Sequence, residues 1–513
     1  MDELWKEFDQ VKTAPKVLDL FHNKIARLKF LDPACGCGNF LIITYRELRL
    51  LELEILKMKI GTEQRVTDIF IHASDMMKVS VEQFYGIEYE DFPCQIATVG
   101  MWLMDHQMNL RVSDQFGHYY ARLPLTQSAT IVHGNALRVD WESVVPKKEL
   151  SYILGNPPFL GNNNLTPLQR EDLAPYFPKN KTMDYVSAWY VKASDYAKTT
   201  AIRCAFVSTN SITQGEQVAI LWKPLMARGI HINFGIPTFK WSNEAKGKAA
   251  VHCVIVGFSY CETVPIISPY LIEGLNLIVE SRSKPLCEIP PMRRGNQPTD
   301  GKHLIIEAAE YEDFIAREPL AKQYIKRLIG AEEFINNKNR YCLWLVDVSP
   351  ADLRKMPLVM ERIEKCREMR LASPDPATRR LAETPTLFRE QITSKENYIV
   401  VPKVSSERRS YIPIGYVPAD TISSDLVFLI PGSNLWHFAI LTSSIHMAWM
   451  RTVCGRLEMR YRYSKDIVYN NFPWPDVTDA QKAAIETYLT RGRSFPTAVL
   501  PICMTRSPCR PVC

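Results

Sequence analysis

The chain has 513 residues, of which 46% are hydrophobic, and a formal net charge of +6. This length predicts two domains. The apolar runs are short and interrupted by charge, which excludes a membrane span or a membrane partner, and the charged stretch after Met1 is not a signal peptide. Thirteen scattered cysteines, an odd number, favour free thiols in a reducing cytoplasm over a disulfide framework. The small basic excess permits a polyanionic partner but does not require one.

Up to about residue 260, strand-like and helix-like patterns alternate along the chain. Strands are predicted at 28–32, 83–88, 129–134, 150–155, 204–209, 230–236 and 249–258, and the strongest helical pattern runs from Phe40 to Met58. This alternation predicts an α/β fold, a Rossmann-like, doubly wound and mostly parallel sheet. In such a sheet we expect ligands at the carboxyl ends of the strands.

The character of the chain changes near residue 285. Residues 283–303 are rich in proline, glycine and charge, which predicts a linker. A charged helix is predicted from Ala351 to Leu371, followed by arginine-bearing strand-like pieces over 398–470 and a turn with a short helix. We therefore expect one domain over 1–284, a second domain of mixed α+β type over 285–475, and a C-terminal segment over 476–513.

A glycine-rich turn, Asp32-Pro33-Ala34-Cys35-Gly36-Cys37-Gly38, follows the first predicted strand. Glycine permits positive φ and lets a ligand touch the backbone, so this turn is a candidate cofactor site. The dinucleotide pattern G-x-G-x-x-G is absent, because Asn39 and Phe40 follow Gly38. A tight strand-to-helix turn without any ligand would use the same residues.

An acidic residue at the end of the next predicted strand favours the ligand interpretation. Glu88, in YGIEYE, stands where a carboxylate can bind both hydroxyls of a ribose. The alternative interpretation is a solvated charge at a strand end.

A second motif, Asn156-Pro157-Pro158-Phe159, follows the predicted strand at 150–155. Asn-Pro opens many turns, but two prolines and an aromatic residue directly after a buried strand are harder to explain as a turn alone. The exocyclic amine of adenine is a poor nucleophile, because its lone pair is delocalised into the ring. The side-chain oxygen of Asn156 and the carbonyl of Pro157 could accept its hydrogens and favour a tetrahedral amine, without a covalent intermediate.

Phe159 offers an aromatic face for a base. Stacking of this kind is worth about 1–3 kcal/mol per base. A base inside a duplex cannot be reached, so it must first be flipped out of the helix.

Together, DPACGCGNFL and GNPPF resemble the motifs of amino-group DNA adenine methyltransferases, which use S-adenosylmethionine, and their order is similar to the gamma class. Longer stretches, among them YGIEYEDFPCQIATVGMWLMDHQMN and GRLEMRYRYSKDIVYNNFPWP, resemble the MmeI-like type IIL restriction–modification enzymes over about residues 15–495. The resemblance implies a class I methyltransferase fold with a C-terminal target-recognition domain. It also implies S-adenosylmethionine as cofactor and double-stranded DNA as partner.

The resemblance implies a cofactor role for a first set of positions. The residues that would surround the methionine end of the cofactor are Asp32, Ala34, Gly36 and Gly38. Glu88 would bind the ribose, and Asn135, in HGNAL, would contact the adenine of the cofactor with its oxygen as acceptor. Asp184 either lines the cofactor pocket or is a carboxylate on a helix face.

A second set of positions would hold the target base. The resemblance assigns Asn156, Pro157 and Phe159 to this role. Phe239, in TFKW, would pack on the other face of the base, with Trp241 as the competing aromatic residue.

Charged residues alternate in GRLEMRYRYS, which in a single strand would place them on one face and the intervening apolar residues toward a core. The charged set is Arg456, Glu458, Arg460 and Arg462; the apolar set is Leu457, Met459, Tyr461 and Tyr463. Arginine can donate twice to guanine and glutamate can accept from cytosine, so Glu458, Arg460 and Arg462 are candidate base readers. An exposed charged strand face is the alternative. Residues expected to contact phosphates are Lys403, Arg408 and Arg409.

Two family features are not found in the sequence. The family nuclease lies well before the methyltransferase domain, whereas Met1 precedes the glycine-rich turn by only about thirty residues. We therefore expect no DNA cleavage by this chain, and whether a separate restriction subunit exists stays open. The family motif just upstream of the turn, which closes over the cofactor methionine, is also absent.

The tail departs from the family near Phe495, and we hypothesise a frameshift there. The spacing of Cys503, Cys509 and Cys513 fits no zinc site, so no metal is predicted.

Three functions remain open from the sequence. The first is site-specific methylation of adenine in duplex DNA by S-adenosylmethionine, within a restriction–modification or related defence system. The second is methylation of an RNA base or a protein glutamine, which the Asn-Pro-Pro-aromatic motif also serves. The third is DNA binding without turnover, by a catalytically inactive fragment. In the first case, too, the chain could be a truncated remnant.

Overall fold

A computed structural model of the chain describes residues 1–62, 76–116, 128–178, 182–241, 251–274 and 276–491. The chain divides into two compact units: one contains residues 1–213 and 217–278, and the other contains residues 214–216 and those from 279 onward. The hypothesised frameshift and the three tail cysteines lie outside the described residues. Within the described ranges, no helix combines the length and the apolar character needed to cross a bilayer.

The first unit alternates helices and strands as its sequence predicts. Its helices are α1 (Asp2–Val11), α2 (Pro15–Arg27), α3 (Asn39–Thr62), α4 (Asp91–Phe116), α5 (Trp141–Val144), α6 (Pro167–Leu173), α7 (Ser187–Tyr196) and α8 (Gly215–Ala227, whose first two residues belong to the second unit). Its strands are β1 (Phe30–Asp32), β2 (Phe84–Glu88), β3 (Thr130–His133), β4 (Tyr152–Gly155), β5 (Arg203–Thr209), β6 (His231–Trp241) and β7 (Val251–Ser259).

These strands form one sheet in the order β3-β2-β1-β4-β5-β7-β6. The pairs from β3 to β5 are parallel, whereas β7 runs antiparallel to both β5 and β6. The prediction of an α/β fold with a mostly parallel sheet is confirmed. Since β1, β4 and β5 are parallel, their last residues, Asp32, Gly155 and Thr209, lie at the same edge of the sheet.

Aromatic packing across adjacent strands stabilises the start of this sheet. The Phe30 ring stacks on Phe84 of β2 at 5.1 Å and on Tyr152 of β4 at 5.3 Å between ring centroids. All three strands begin with an aromatic residue at the same level, and cross-strand aromatic pairs of this kind stabilise a sheet. Helices α2, α3 and α4 contribute most of the remaining apolar residues of this core.

The second unit is of mixed α+β type. Its helices are α9 (Tyr311–Arg317), α10 (Ala331–Asn336), α11 (Pro350–Leu353), α12 (Pro357–Leu371), α13 (Pro376–Arg380), α14 (Leu435–Leu441), α15 (Ser444–Val453) and α16 (Asp479–Arg491). Its strands are β8 (Arg293–Arg294), β9 (Ile305–Glu307), β10 (Ile325–Ile329), β11 (Arg340–Leu343), β12 (Tyr398–Pro402), β13 (Val404–Ser405), β14 (Gly415–Val417), β15 (Ile422–Ser423), β16 (Val427–Ile430), β17 (Gly455–Leu457) and β18 (Arg460–Arg462).

The described residues of this unit form three small sheets, in the orders β15-β10-β11-β9, β14-β12-β16-β8 and β13-β18-β17. The prediction of a linker over 283–303 is wrong for its second half. Arg293 and Arg294 pair with β16, and the fully buried Asn296 side chain donates to the carbonyls of Ile392 and Ser423. These contacts are with residues distant in the chain, which is why composition alone suggested a linker.

The prediction of one strand through GRLEMRYRYS is also wrong. The segment is a hairpin in which Leu457 of β17 pairs with Arg460 of β18, leaving Glu458 and Met459 as a two-residue turn. Glu458 has a positive φ of 60°. Because the chain reverses there, Arg456 does not share a face with Arg460 and Arg462, and instead pairs with Tyr461.

Two further consequences of this hairpin concern its side chains. The Arg456 guanidinium lies 4.6 Å from the centre of the Tyr461 ring and donates to the Met459 carbonyl at 3.1 Å. Leu457, predicted to face a core, is 46% exposed, whereas Tyr461 and Tyr463 are buried as expected.

Candidate functional site

Asp32 ends β1 at the carboxyl edge of the first unit's sheet and is completely buried. Its Oδ1 accepts a hydrogen bond from the Ala34 N–H at 3.0 Å, while Oδ2 is buried without a partner among the described residues. Burial, helped by the Glu88 carboxylate, raises the pKa of Asp32 to about 7, although the Ala34 bond opposes the shift. Buried polar atoms usually have partners, so Oδ2 is available to a ligand.

Gly155, the last residue of β4, leaves room for this carboxyl. A Cβ at Gly155 would lie 2.4 Å from Oδ1 of Asp32, so a larger residue would displace it. Gly155 was not among the site residues predicted from the sequence. Its signal was a glycine at the end of a buried strand, which indicates a close approach of another group.

Gly36 and Gly38 in the turn after β1 have positive φ values of 54° and 81°, which L side chains rarely adopt. A Cβ on Gly36 would meet no atom within 4 Å, so the space beside the turn is open there. A Cβ on Gly38 would meet Cβ of Ala97 at 3.0 Å, so Gly38 also allows α4 to approach the turn.

Glu88 holds this turn to β2. Its Oε2 accepts a hydrogen bond from the Gly36 N–H at 2.7 Å, and its Oε1 accepts one from the Glu90 N–H at 3.1 Å. On the other side, Nε1 of the buried Trp189 donates to the Pro33 carbonyl at 3.1 Å. The structure therefore brings Asp32 and Gly36 of the turn together with Glu88 at the end of β2.

Asn156 leaves the sheet directly after Gly155. Its Oδ1 is buried and has no hydrogen-bond partner among the described residues. Pro157 is buried, Pro158 is exposed and Phe159 is half-buried. The motif thus presents an unpaired acceptor and an aromatic ring next to the residue that touches Asp32.

Asp184 fixes the chain that follows this motif. Its Oδ1 accepts from the N–H of Leu160 at 3.2 Å and of Val186 at 3.3 Å, and its Oδ2 accepts from the Thr209 hydroxyl at 3.1 Å. The residue is 4% exposed. Burial raises its pKa, while these hydrogen bonds oppose the shift. Asp184 thus connects the Asn156 loop to the end of β5. The two interpretations from the sequence, a residue of the cofactor pocket or a carboxylate on a helix face, did not include this role.

Asn135 lies after β3 in a network of its own. Its Nδ2 donates to Oδ2 of Asp172 at 2.8 Å, and its Oδ1 accepts from the Leu137 N–H at 2.9 Å. Asp172 also accepts from the Tyr185 hydroxyl at 2.9 Å and from Nε of Arg138 at 2.6 Å. The amide orientation is therefore set by Asp172, and one lone pair of Oδ1 remains for another donor.

Phe239 lies at the same edge of the sheet as the residues above. It is in register with Cys253 of β7, which in turn is in register with Thr209, the last residue of β5. Its ring lies 6.0 Å from that of Trp241, between centroids, so both aromatic candidates remain near this edge.

In the second unit, the candidate base readers lie on the β17–β18 hairpin, with Glu458 and Arg460 at its exposed tip and Arg462 at the other end of β18. Arg460 and Arg462 share one face of β18, and Nη2 of Arg460 donates to Oε2 of Glu458 at 3.1 Å. The side chains of Arg460 and Glu458 are 46% and 66% exposed.

The candidate phosphate contacts flank β13, which pairs with β18: Lys403 directly precedes the strand, and Arg408 and Arg409 follow it. Lys403 is half-buried, whereas Arg408 and Arg409 are exposed. The side chain of Arg408 is 91% exposed and lies near Glu407.

Comparisons with known proteins agree with this division of the chain. The model of the MmeI DNA-methyltransferase domain matches residues 8–268, and the model of the MmeI target recognition domain matches residues 273–476. DNA methyltransferase A of Bacillus subtilis strain 168 is 41% identical over 507 residues, a match that covers 95% of this chain and 57% of the relative. The chain thus spans little more than half the length of that curated relative.

Among solved structures, that of the type IIL restriction–modification enzyme MmeI, in complex with DNA, is 45% identical. It superposes with a TM-score of 0.86, and the match covers 98% of this chain and 70% of that chain. The resemblance predicted from the sequence is confirmed. Since both domain models match in chain order and extend over most of its length, the chain belongs to the MmeI family, which joins a DNA-methyltransferase domain to a target recognition domain.

Proposed function

We propose that the chain transfers a methyl group from S-adenosylmethionine to the exocyclic amine of an adenine flipped out of duplex DNA, as part of a restriction–modification system. In this proposal the first unit performs the transfer and the second unit reads the DNA sequence. The single observation that carries it is Oδ1 of Asn156, which is buried at the carboxyl edge of the sheet and has no hydrogen-bond partner in the part of the chain that the structure describes.

The amine of the target base would find two acceptors at this point. Oδ1 of Asn156 and the Pro157 carbonyl would each accept a hydrogen bond from one N–H of the amine. These two bonds favour the tetrahedral geometry that a nucleophilic amine needs. The two prolines and the Asp184 bonds hold these acceptors in place before the base arrives, so little reorganisation accompanies the reaction.

The residues of the turn fit S-adenosylmethionine. The orphaned Oδ2 of Asp32 needs a partner, and the open space beside Gly36 would admit a ligand against the backbone. The free lone pairs of Glu88 and Asn135 could serve its ribose and adenine. The cofactor supplies a methyl group on a sulfonium. The chain's own residues bind it, orient it and hold the target amine beside it.

Aromatic side chains would hold the flipped base. Phe159 is half-buried and follows the two acceptors closely in the chain. Phe239 is level with Thr209, the last residue of β5, because both are in register with Cys253 of β7. A base stacked between two such rings would gain about 1–3 kcal/mol per contact, which offsets part of the cost of unstacking it from the duplex.

The second unit would contact DNA with the basic residues named above. Glu458, Arg460 and Arg462, which are exposed on the β17–β18 hairpin, would read base edges. Lys403, Arg408 and Arg409 would contact phosphates and so position the duplex without specifying its sequence.

Transfer of label to DNA tests the proposal. The protein is incubated with labelled S-adenosylmethionine and mixed-sequence duplex DNA, and the DNA is digested to nucleosides; we expect label in 6-methyladenine. Asn156→Ala should lower the rate at least about 100-fold, with cofactor binding nearly unchanged. Asn163→Ala, an exposed position in the same loop, is the matched control and should retain full rate.

Other outcomes would replace the proposal. Label only in RNA or in protein would assign a different methyl acceptor, and DNA binding without any label would assign a binding protein. Full-rate transfer by Asn156→Ala would remove Asn156 from the role given to it here.

A further inference from the structure

The segment that composition marks as a linker carries two adjacent arginines on a strand. Arg294 is in register with Phe428 of β16, and Arg293 is in register with Leu429. Both arginines are exposed. Because successive side chains of a strand point to opposite faces, the two guanidinium groups lie on opposite faces of this small sheet.

Lys403 approaches the face that carries Arg294. Its Nζ lies 5.2 Å from the centre of the Phe428 ring, and Phe428 is the direct cross-strand neighbour of Arg294. Such neighbours have Cβ atoms about 4.5–5.5 Å apart. Lys403 and Arg294 therefore both neighbour Phe428, although they are far apart in the chain, and the charge of Arg294 acts on Lys403.

Neither of the two cations is paired directly with a carboxylate in the part of the chain that the structure describes. Among the described residues, neither Lys403 nor Arg294 forms an ion pair or a side-chain hydrogen bond. Burial lowers the pKa of Lys403, and the positive charges of Arg294 and Arg462 lower it further against the opposing carboxylates of Asp425 and Glu390. Holding like charges together without neutralisation costs free energy, and a bound anion would offset that cost.

We propose that Arg294 and Lys403 form one binding site for a backbone phosphate of duplex DNA. This inference rests on the proposed function, to which it adds a residue, Arg294, that the sequence motifs did not indicate. A guanidinium can donate two parallel hydrogen bonds to phosphate oxygens, and an ammonium adds a compact charge. Such a contact positions the duplex without reading its sequence.

Salt-dependent DNA binding tests the site. Fluorescence anisotropy with a labelled duplex is measured over a series of potassium chloride concentrations for the full chain, Arg294→Gln, Lys403→Gln and the double variant. Log affinity falls as log salt concentration rises, and loss of one phosphate contact makes this negative slope shallower by about 0.9. The double variant should therefore bind about eightfold more weakly near 0.1 M salt. The loss should be equal on unrelated DNA sequences.

Matched variants keep this test independent of folding. Arg293→Gln removes the same charge from the same strand but from the opposite face, and it should leave the slope unchanged. Arg294→Lys keeps the charge and should retain most of the slope. Because both residues serve one phosphate, the effects of Arg294→Gln and Lys403→Gln should combine non-additively.

Failure of this inference and failure of the proposed function give different results. If the double variant shows the wild-type slope, or if Arg293→Gln lowers the slope as much as Arg294→Gln, the site is wrong while DNA methylation stands. If the unaltered chain binds no duplex, both are wrong.

Discussion

The carboxyl edge of the first unit's sheet and the β17–β18 hairpin of the second unit hold their charged side chains in opposite ways. At the sheet edge, Asp32 and Asp184 are buried and accept hydrogen bonds from backbone N–H groups or a hydroxyl. At the hairpin tip, Glu458 and Arg460 are exposed and bond only to each other among the contacts of their side chains that the structure describes.

This difference matches the two tasks proposed for the chain. Aligning an amine with a methyl donor requires groups that do not move during the reaction, and burial with backbone hydrogen bonds provides that rigidity. Reading base edges requires side chains that reach into a groove. Because such side chains are exposed to solvent, substituting them removes few contacts within the protein. Substitutions should therefore be costly at the sheet edge and cheap, in stability, at the hairpin.

The largest effect on cofactor binding is expected from Gly155→Ala. Its Cβ would lie 2.4 Å from Oδ1 of the buried Asp32, which must then move. We expect loss of S-adenosylmethionine binding and about 1–3 kcal/mol lower stability, measured by calorimetry and urea unfolding. Gly161→Ala is the control, because φ is −62° there and a Cβ would meet no atom within 4 Å. Equal cofactor binding by both variants would contradict the proposal that the Asp32 carboxyl, in the space left by Gly155, contacts the cofactor.

Asp184→Ala should act on turnover more than on cofactor binding. It leaves the N–H groups of Leu160 and Val186 without their acceptor, at about 1–3 kcal/mol for each buried donor left unpaired, whereas the Thr209 hydroxyl can still bond to Oγ of Ser211 at 2.8 Å. Displacement of the Asn156 loop by about 1 Å is enough to lower kcat about 100-fold.

Two milder variants should lower kcat by less than Asp184→Ala does. Thr209→Val removes one of the three bonds and should lower kcat less than Asp184→Ala, and Asp184→Asn should restore part of the rate. The KM for S-adenosylmethionine should stay within a few-fold in steady-state kinetics. A change in KM alone would place Asp184 in the cofactor pocket instead.

Asp32→Asn should reveal a pH-dependent cost of the buried carboxyl. The pKa of Asp32 is raised from 3.8 to about 7 in the folded chain, so its stabilising contribution is complete below about pH 4 and is lost as the pH rises through 7. The shift corresponds to about 4 kcal/mol at most. In the absence of cofactor, Asp32→Asn should therefore gain stability over the unaltered chain at pH 8 and not at pH 4.

Denaturant unfolding at the two pH values measures this difference. Asp114→Asn, an exposed position on α4, is the control and should show the same small change at both. A gain for Asp32→Asn that does not depend on pH would mean that the Asp32 carboxyl is not the source of the cost.

The smallest effect on stability is expected at the hairpin tip. Glu458 adopts a φ of 60° in the first position of a two-residue turn, where glycine is favoured. Glu458→Gly should raise stability by about 1 kcal/mol through relief of this strain while changing which DNA sequences are methylated. Thermal unfolding and sequencing of methylated sites measure the two effects.

Arg456→Ala is the matched variant on the other face of the hairpin. It loses the stacking on Tyr461 and the bond to the Met459 carbonyl, so stability should fall by about 1 kcal/mol. The set of methylated sequences should stay the same. If Arg456→Ala altered that set and Glu458→Gly did not, the assignment of faces in the hairpin would be wrong.

The amino-acid sequence by itself determined the first unit's sheet and the location of its two motifs. Strands and helices alternate there, and parallel strands with helical connections have few alternative arrangements. Consequently Asp32, Glu88 and Asn156, each at the end of a predicted strand, were expected at the sheet edge where the structure places them. Local patterns were sufficient because each strand end is marked by its own neighbours in the chain.

Only the tertiary structure decided the faces and partners of the remaining residues. No glycine or asparagine marks the turn at Glu458, so alternation in GRLEMRYRYS suggested one strand and placed Arg456 on the wrong face. The contacts of Gly155 with Asp32, of Asp184 with Leu160 and of Arg294 with Phe428 join residues that are distant in the chain. Hydrogen bonds, cross-strand registers and burial of this kind depend on where separate segments meet, and a local pattern of residues carries no information on that.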